Sequence, residues 1–157
     1  MREIHTSQIT AAVRDLCIEG NCALQCETVA AFERALGEEE SPIGKDIIGQ
    51  LLKNADVARS QRVPFCQDTG YAVLFLELGQ EVRTVGSTLK EALNEGVRLG
   101  YSEGYLRKSL IHSPIDRVNT GDNTPATVNI EIVPGEQLKI SLLVKGAGCD
   151  NMSALRM

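Results

Sequence analysis

The sequence predicts an α+β fold: N-terminal helices followed by a mainly antiparallel sheet with one further helix. Three observations carry this. Apolar residues recur at helical spacing in three stretches before Pro64. Ala72 to Leu78 is an apolar run, broken only at Glu77 and bounded by Gly70 and Gly79, as in a strand buried on both faces. Thr127 to Val133 alternates apolar and polar, and Leu138 to Val144 returns after Pro134-Gly135-Glu136.

The elements follow in order. Ile9, Val13 and Leu16 mark a first helix, and Gly20-Asn21 is its stop signal. A second is expected from Cys22 to Leu36, with Cys22, Cys26, Val29 and Leu36 on one stripe and Gly37 as its end. Ser41-Pro42 opens a third, because serine suits the N-cap and proline the first helical position. Its expected buried face is Ile43, Ile47, Ile48, Leu51, Leu52 and Ala55, and it carries to about Arg59. After that strand, Glu81 to Val85 is expected to pair with it across a turn at Gly79-Gln80. Thr88-Leu89-Lys90-Glu91 has the capping-box pattern and starts a fourth helix, to about Leu99. Gly100 to Pro125 is irregular. The last two strands are expected to form a hairpin.

Length and composition narrow the function classes. A chain of 157 residues is one domain, 1–157, by length alone. With 4% aromatics and no tryptophan, its core must be aliphatic. A net charge of -5 without a dense Lys/Arg cluster argues against nucleic acid as partner. It leaves room for a small dianion, which one or two arginines in a cleft can hold. No apolar run nears the roughly 20 residues that span a bilayer, and Met1-Arg2-Glu3-Ile4-His5 lacks a hydrophobic signal core. A cytoplasmic protein, with no membrane partner, is expected. Its five cysteines, Cys17, Cys22, Cys26, Cys66 and Cys149, are then reduced.

Three segments do not read as scaffold. In Val63-Pro64-Phe65-Cys66-Gln67-Asp68-Thr69-Gly70, a thiol, an amide and a carboxylate stand in a row before a buried strand. A thiolate can ligate iron and a carboxylate can move a proton. The plainer reading is a buried cysteine ahead of an Asp-Thr-Gly turn, which spacing alone favours. His112 to Ala126 is a long polar stretch between a helix and a strand, where function is often found. Its Asn, Asp and Thr side chains could equally satisfy their own turns, and His112 could be a surface or N-cap residue. Lys145-Gly146-Ala147-Gly148 follows a strand directly, so its N–H groups could face an anion. It lacks the ending of a phosphate loop and also reads as a generic glycine turn.

Taken in register, Cys66-Gln67-Asp68-Thr69-Gly70, Asn119 to Ala126 and Lys145 to Ser153 resemble the N-terminal signatures of the alpha subunit of the class I fumarate hydratase and L(+)-tartrate dehydratase family. The resemblance runs over essentially the whole chain. It implies an iron–sulfur lyase: a hydro-lyase interconverting malate and fumarate by reversible dehydration of a 2-hydroxy dicarboxylic acid, or alternatively dehydrating L(+)-tartrate. It implies a 4Fe–4S cluster with three cysteine ligands, of which Cys66 is the metal-binding residue in this chain and the others are expected outside it. Gln67 and Asp68 would contact substrate, with Asp68 handling a proton. Arg107 would clamp a carboxylate, and Lys145, Gly146 and Gly148 would bind the far end of the substrate. Asn119 and Asp122 would brace their loop. A beta subunit or beta domain, in a homo- or hetero-oligomer, would complete the site.

Two departures stand against that pattern. Cys149-Asp150-Asn151 replaces the family's usual small residue and acid before asparagine, so Cys149 is not assigned to the cluster. The chain also ends soon after the third signature. It is therefore expected to be a truncated alpha region, inactive alone, or else a non-catalytic assembly module. Cys17, Cys22 and Cys26 read as core packing, with a zinc module using them as a third alternative.

Overall fold

The structure, a computed structural model, describes residues 1–146, 148 and 154. Its elements run β1 (Arg2–His5), α1 (Thr6–Cys22), α2 (Cys26–Glu38), α3 (Pro42–Gln61), β2 (Tyr71–Gly79), β3 (Val82–Val85), α4 (Leu89–Glu103), β4 (Thr127–Val133) and β5 (Leu138–Lys145). The α+β class holds: long helices first, then sheets with one more helix between their strands.

Strand pairing differs from expectation. Among the described residues the sheets are mixed rather than mainly antiparallel. β4 and β5 form no hairpin. They flank β2, with β4 parallel and β5 antiparallel to it. The reason lies in burial. β2 carries the most continuously apolar sequence and takes the centre, where both edges are paired; the two alternating strands become edges. Ala72, Leu74 and Leu76 bury one face, but Phe75 is 46% exposed and Glu77 exposed on the other, so the expected burial on both faces is not met. The chain reaches β4 through α4 and the loop after it, the kind of crossover a parallel pair requires. The turn at 134–137 then straps over the end of β2. The Gly79 N–H donates to the Gln137 carbonyl at 2.8 Å, and the Gln80 N–H to Val133 at 2.9 Å. β3 likewise turns away from β2 and pairs in parallel with β1, a strand the sequence reading did not anticipate.

The core forms where α1 and α4 lie together on β2. Ile9, Val13 and Cys17 of α1 meet Ala92, Leu93, Val97 and Tyr101 of α4 over Ala72, Leu74 and Leu76. The helices approach closely because Gly96 and Gly100 face α1. A Cβ at Gly96 would lie 2.6 Å from Val13 Cβ, and one at Gly100 2.6 Å from Cys17 Cβ. Burial pushes the Cys17 thiol up to about 12. It stays protonated and unreactive at neutral pH, as a packing cysteine should.

Three helical expectations need correction. α1 continues through Cys22, so Cys22 closes one helix and Cys26 opens the next; Cys22 is buried but Cys26 is exposed. α3 starts as expected, with the Ser41 hydroxyl accepting from the Gly44 N–H, but most of its expected buried face is not buried. Ala55 and Ala58 are covered, whereas Ile43 is 74%, Ile47 52% and Leu51 43% exposed. α4 runs four residues further than expected, to Glu103, behind the capping box of Thr88 and Glu91.

Candidate functional site

The site is organised at the start of β2. The loop leaving α3 is held by Asn54, whose amide donates to the Phe65 carbonyl at 2.8 Å, and by the Phe65 N–H, which donates to Asn21 at 3.0 Å. Cys66 and Gln67 follow in the exposed part of the loop, and Asp68 is half-buried. Gly70 then turns the chain into β2 with φ +58, a left-handed conformation that glycine adopts without penalty. A Cβ there would lie 2.3 Å from the Lys145 carbonyl oxygen. No larger residue lets this loop meet the end of β5 so closely.

That approach brings the first and third sequence segments together. The Asp68 carboxylate accepts from the Gly70 N–H at 3.1 Å through Oδ1 and from the Gly148 N–H at 3.4 Å through Oδ2. A Cβ on Gly146 would lie 3.1 Å from Asp68 Oδ2, so this position too faces the carboxylate. The half-buried Lys145 ammonium donates to the Gly146 carbonyl. Gly148 thus directs an N–H to the aspartate, whereas the sequence reading aimed it at a ligand. Cys149, Asp150 and Asn151 lie outside the described residues.

Arg107 joins through its backbone. The Thr69 hydroxyl donates to the Arg107 carbonyl at 2.9 Å, and the Arg107 side chain is exposed. The polar stretch supplies the remaining supports. Asn119 donates to the Lys108 carbonyl at 2.9 Å and accepts from the Gly121 N–H at 2.7 Å. Burial opposes ionisation of Asp122, but the Thr124 N–H and hydroxyl outweigh it and hold the carboxyl below the usual range. Both residues brace their loop, as expected. His112 is exposed, beside the short bridge between Ile111 and Asn119.

Two residues escaped the sequence reading. Asn123, fully buried, donates to the Gly70 carbonyl at 3.1 Å. Tyr101, on α4, donates to the Thr69 carbonyl at 2.8 Å and lies 3.2 Å from that of Gly70. Burial raises the Tyr101 phenol well above its ordinary range, so it remains a donor throughout physiological pH. No local pattern distinguishes Asn123 from its polar neighbours. Tyr101, at the end of an amphipathic helix face, carried a weak signal, since a buried tyrosine needs a partner for its hydroxyl.

The donor set is a thiol, a carboxylate two residues on, and backbone N–H groups facing that carboxylate. It can offer one metal ligand and one proton carrier. Among the described residues there is no group of three or more His, Cys, Asp or Glu side chains able to enclose a metal. A cavity of about 850 Å³ along α1 and β5 includes none of these residues. No described helix is long and apolar enough to cross a membrane.

The fumarate hydratase (Fumerase) family matches residues 10–157, and the chain belongs to that family. Among individual relatives, a Methanocaldococcus jannaschii protein provisionally named L(+)-tartrate dehydratase subunit alpha is 34% identical over 96% of this chain and 54% of its own length. The aerobic class I fumarate hydratase of Escherichia coli K12 is 38% identical over 74% of this chain and 22% of its own. The L(+)-tartrate dehydratase subunit alpha of Escherichia coli O157:H7 is 32% identical over 78% of this chain and 41% of its own. The chain therefore spans about half the length of the first and less of the others.

Proposed function

We propose that this chain is the N-terminal domain of the alpha region of a hydro-lyase that removes water from, or adds it to, a 2-hydroxy dicarboxylic acid, with malate and fumarate as the substrate pair. The observation that carries the reading is the convergence of the Cys66–Asp68 loop on the Lys145–Gly148 segment, enforced at Gly70. L(+)-tartrate is the second reading, favoured by the relative that covers 96% of the chain.

Cys66 fits an iron–sulfur cluster as a single ligand, being an exposed thiol on the loop that also carries Asp68. The remaining ligands would come from outside this chain. When bound, a 4Fe–4S cluster with one open iron site would supply a Lewis acid. The chain's own residues do the rest. Asp68, held by two backbone N–H groups, handles the proton of the substrate hydroxyl. Arg107, its backbone tied to Thr69, offers an exposed guanidinium that can pair with a substrate carboxylate in two parallel hydrogen bonds. Lys145 adds positive charge at the opposite segment, and Gln67 an amide. Holding both carboxylates with cations makes the neighbouring C–H more acidic, which the elimination requires. A beta subunit, supported by the "subunit alpha" names of two relatives, provides the groups this chain lacks. The reduced thiol calls for a cytoplasmic, reducing setting.

The test is anaerobic iron–sulfur reconstitution of the chain together with its beta partner, followed by iron and sulfide analysis and turnover of malate and L(+)-tartrate. Cys66→Ser should lose both iron and turnover. Asp68→Asn should keep iron and lose about 10²- to 10⁴-fold in kcat. This chain alone should show no turnover. Unchanged iron and turnover in Cys66→Ser would overturn the proposal.

A further inference from the structure

The two proposed substrate contacts with opposite charge, Asp68 and Arg107, sit on separate loops, 39 positions apart in the sequence. Their relative placement is set below the surface. We propose that Asn123 is a positioning residue, which, aided by Tyr101, locks the Asp68 loop against the Arg107 segment. The inference rests on the proposed function for its catalytic meaning and on the hydrogen bonds for its geometry.

A primary amide has two acceptor sites and two donor hydrogens. Asn123 Oδ1 spends its acceptor capacity on one segment: it receives the Ser109 N–H at 2.8 Å and the Leu110 N–H at 3.0 Å. Nδ2 reaches across to the other segment and donates to the Gly70 carbonyl at 3.1 Å. The same Gly70 donates its N–H to Asp68 Oδ1. One side chain therefore connects the peptide that orients Asp68 with the extended segment that follows Arg107. Tyr101 takes the neighbouring Thr69 carbonyl, and the Thr69 hydroxyl takes that of Arg107. Asn123 is fully buried, so water cannot replace any of these partners. Its backbone is also specialised. At φ +63 it occupies the left-handed region, which asparagine, aspartate and glycine tolerate and most residues do not.

That chemistry yields two variants with different expected fingerprints. Asn123→Asp keeps the acceptor for Ser109 and Leu110 but removes the donor to Gly70. Asn123→Gly keeps the backbone conformation and removes both. Amide hydrogen exchange and steady-state kinetics, measured on the holoenzyme assembled with its beta partner, separate them. In Asn123→Asp the Gly70 amide should exchange about 10-fold faster while Ser109 and Leu110 stay protected; in Asn123→Gly all three should quicken. Leu74 and Leu76, in the middle of β2, should keep wild-type protection in both. With iron content unchanged, kcat should fall about 100-fold in both variants while KM moves much less, the signature of misplaced groups. Unaltered exchange at Gly70, equal acceleration throughout β2, or faster Gly70 exchange with wild-type kcat would each overturn the inference. If the wild-type holoenzyme turns over no dicarboxylate, the proposed function falls instead, and the exchange pattern alone decides whether Asn123 positions the loop.

Discussion

Helices α1 and α3 carry the same apolar spacing and meet opposite fates. In α1, Ile9, Val13 and Cys17 recur every four residues and are at most 2% exposed. In α3, Ile43, Ile47 and Leu51 recur every four residues and are 43 to 74% exposed. An amphipathic stripe records which face of a helix favours burial. It does not record whether the same chain supplies the cover. α1 has β2 and α4 to lie on, whereas α3 packs with α2 and touches α1 only lightly. The contrast divides the molecule into a core that carries the candidate site and a helical arm that does not.

Matched glycines give the largest test of that division. Gly96 sits where α4 presses on α1, and a Cβ would lie 2.6 Å from Val13 Cβ and 2.7 Å from the Thr10 carbonyl. Gly49 lies inside α3, and a Cβ there would meet nothing within 4 Å. Gly96→Ala should therefore destabilise by about 2 kcal/mol through overpacking. Gly49→Ala should stabilise by about 0.5–1 kcal/mol through helix propensity. Urea unfolding of the two variants checks the opposite signs. A loss at both positions would erase the distinction between core and arm.

The second test is electrostatic. Folding raises the Cys17 thiol from 9.0 to about 12 by burial. A group whose folded value is raised contributes stability that is complete below its unfolded value and lost as pH climbs toward the folded one. Wild-type stability should therefore fall by about 1 kcal/mol per pH unit above pH 9 from this group alone. In Cys17→Ala that component should vanish, so the gap between variant and wild type narrows as pH rises. Thermal unfolding between pH 8 and 10.5 measures it. A constant gap would mean the thiol is not buried as described.

What the sequence disclosed follows the same line. Local signals were legible: the Ser41-Pro42 start of α3, the Thr88–Glu91 box, and the bounds of β2, β4 and β5 all depend on neighbours a few residues apart. Pairing was not. β4 and β5 alternate as hairpin arms do, and only the stronger apolar character of β2 explains why it lies between them. The candidate site divided similarly. Its segments could be picked out by residue type, but the contact between Asp68 and Gly148 depends on positions 80 residues apart. Asn123 lies in a segment picked out by residue type, but it acts through three backbone groups on two distant segments, so its own sequence position does not separate it from its polar neighbours.

The smallest expected effect is the most informative about the arm. Ile47→Ser removes a side chain that is 52% exposed, in a helix where isoleucine and serine have similar propensity. Little apolar surface returns to water, so the change in stability should stay within about 0.5 kcal/mol. The corresponding change in α1, Val13→Ser, strips a fully buried side chain from the helix interface and places a hydroxyl there. It should cost about 3 kcal/mol, from the lost packing together with the buried polar group. Denaturation at several protein concentrations compares the two. If Ile47→Ser approached Val13→Ser in effect, or if its effect grew with concentration, the α3 stripe would be covered in solution. The arm would then be a second buried surface, and the contrast drawn from α1 and α3 would fail.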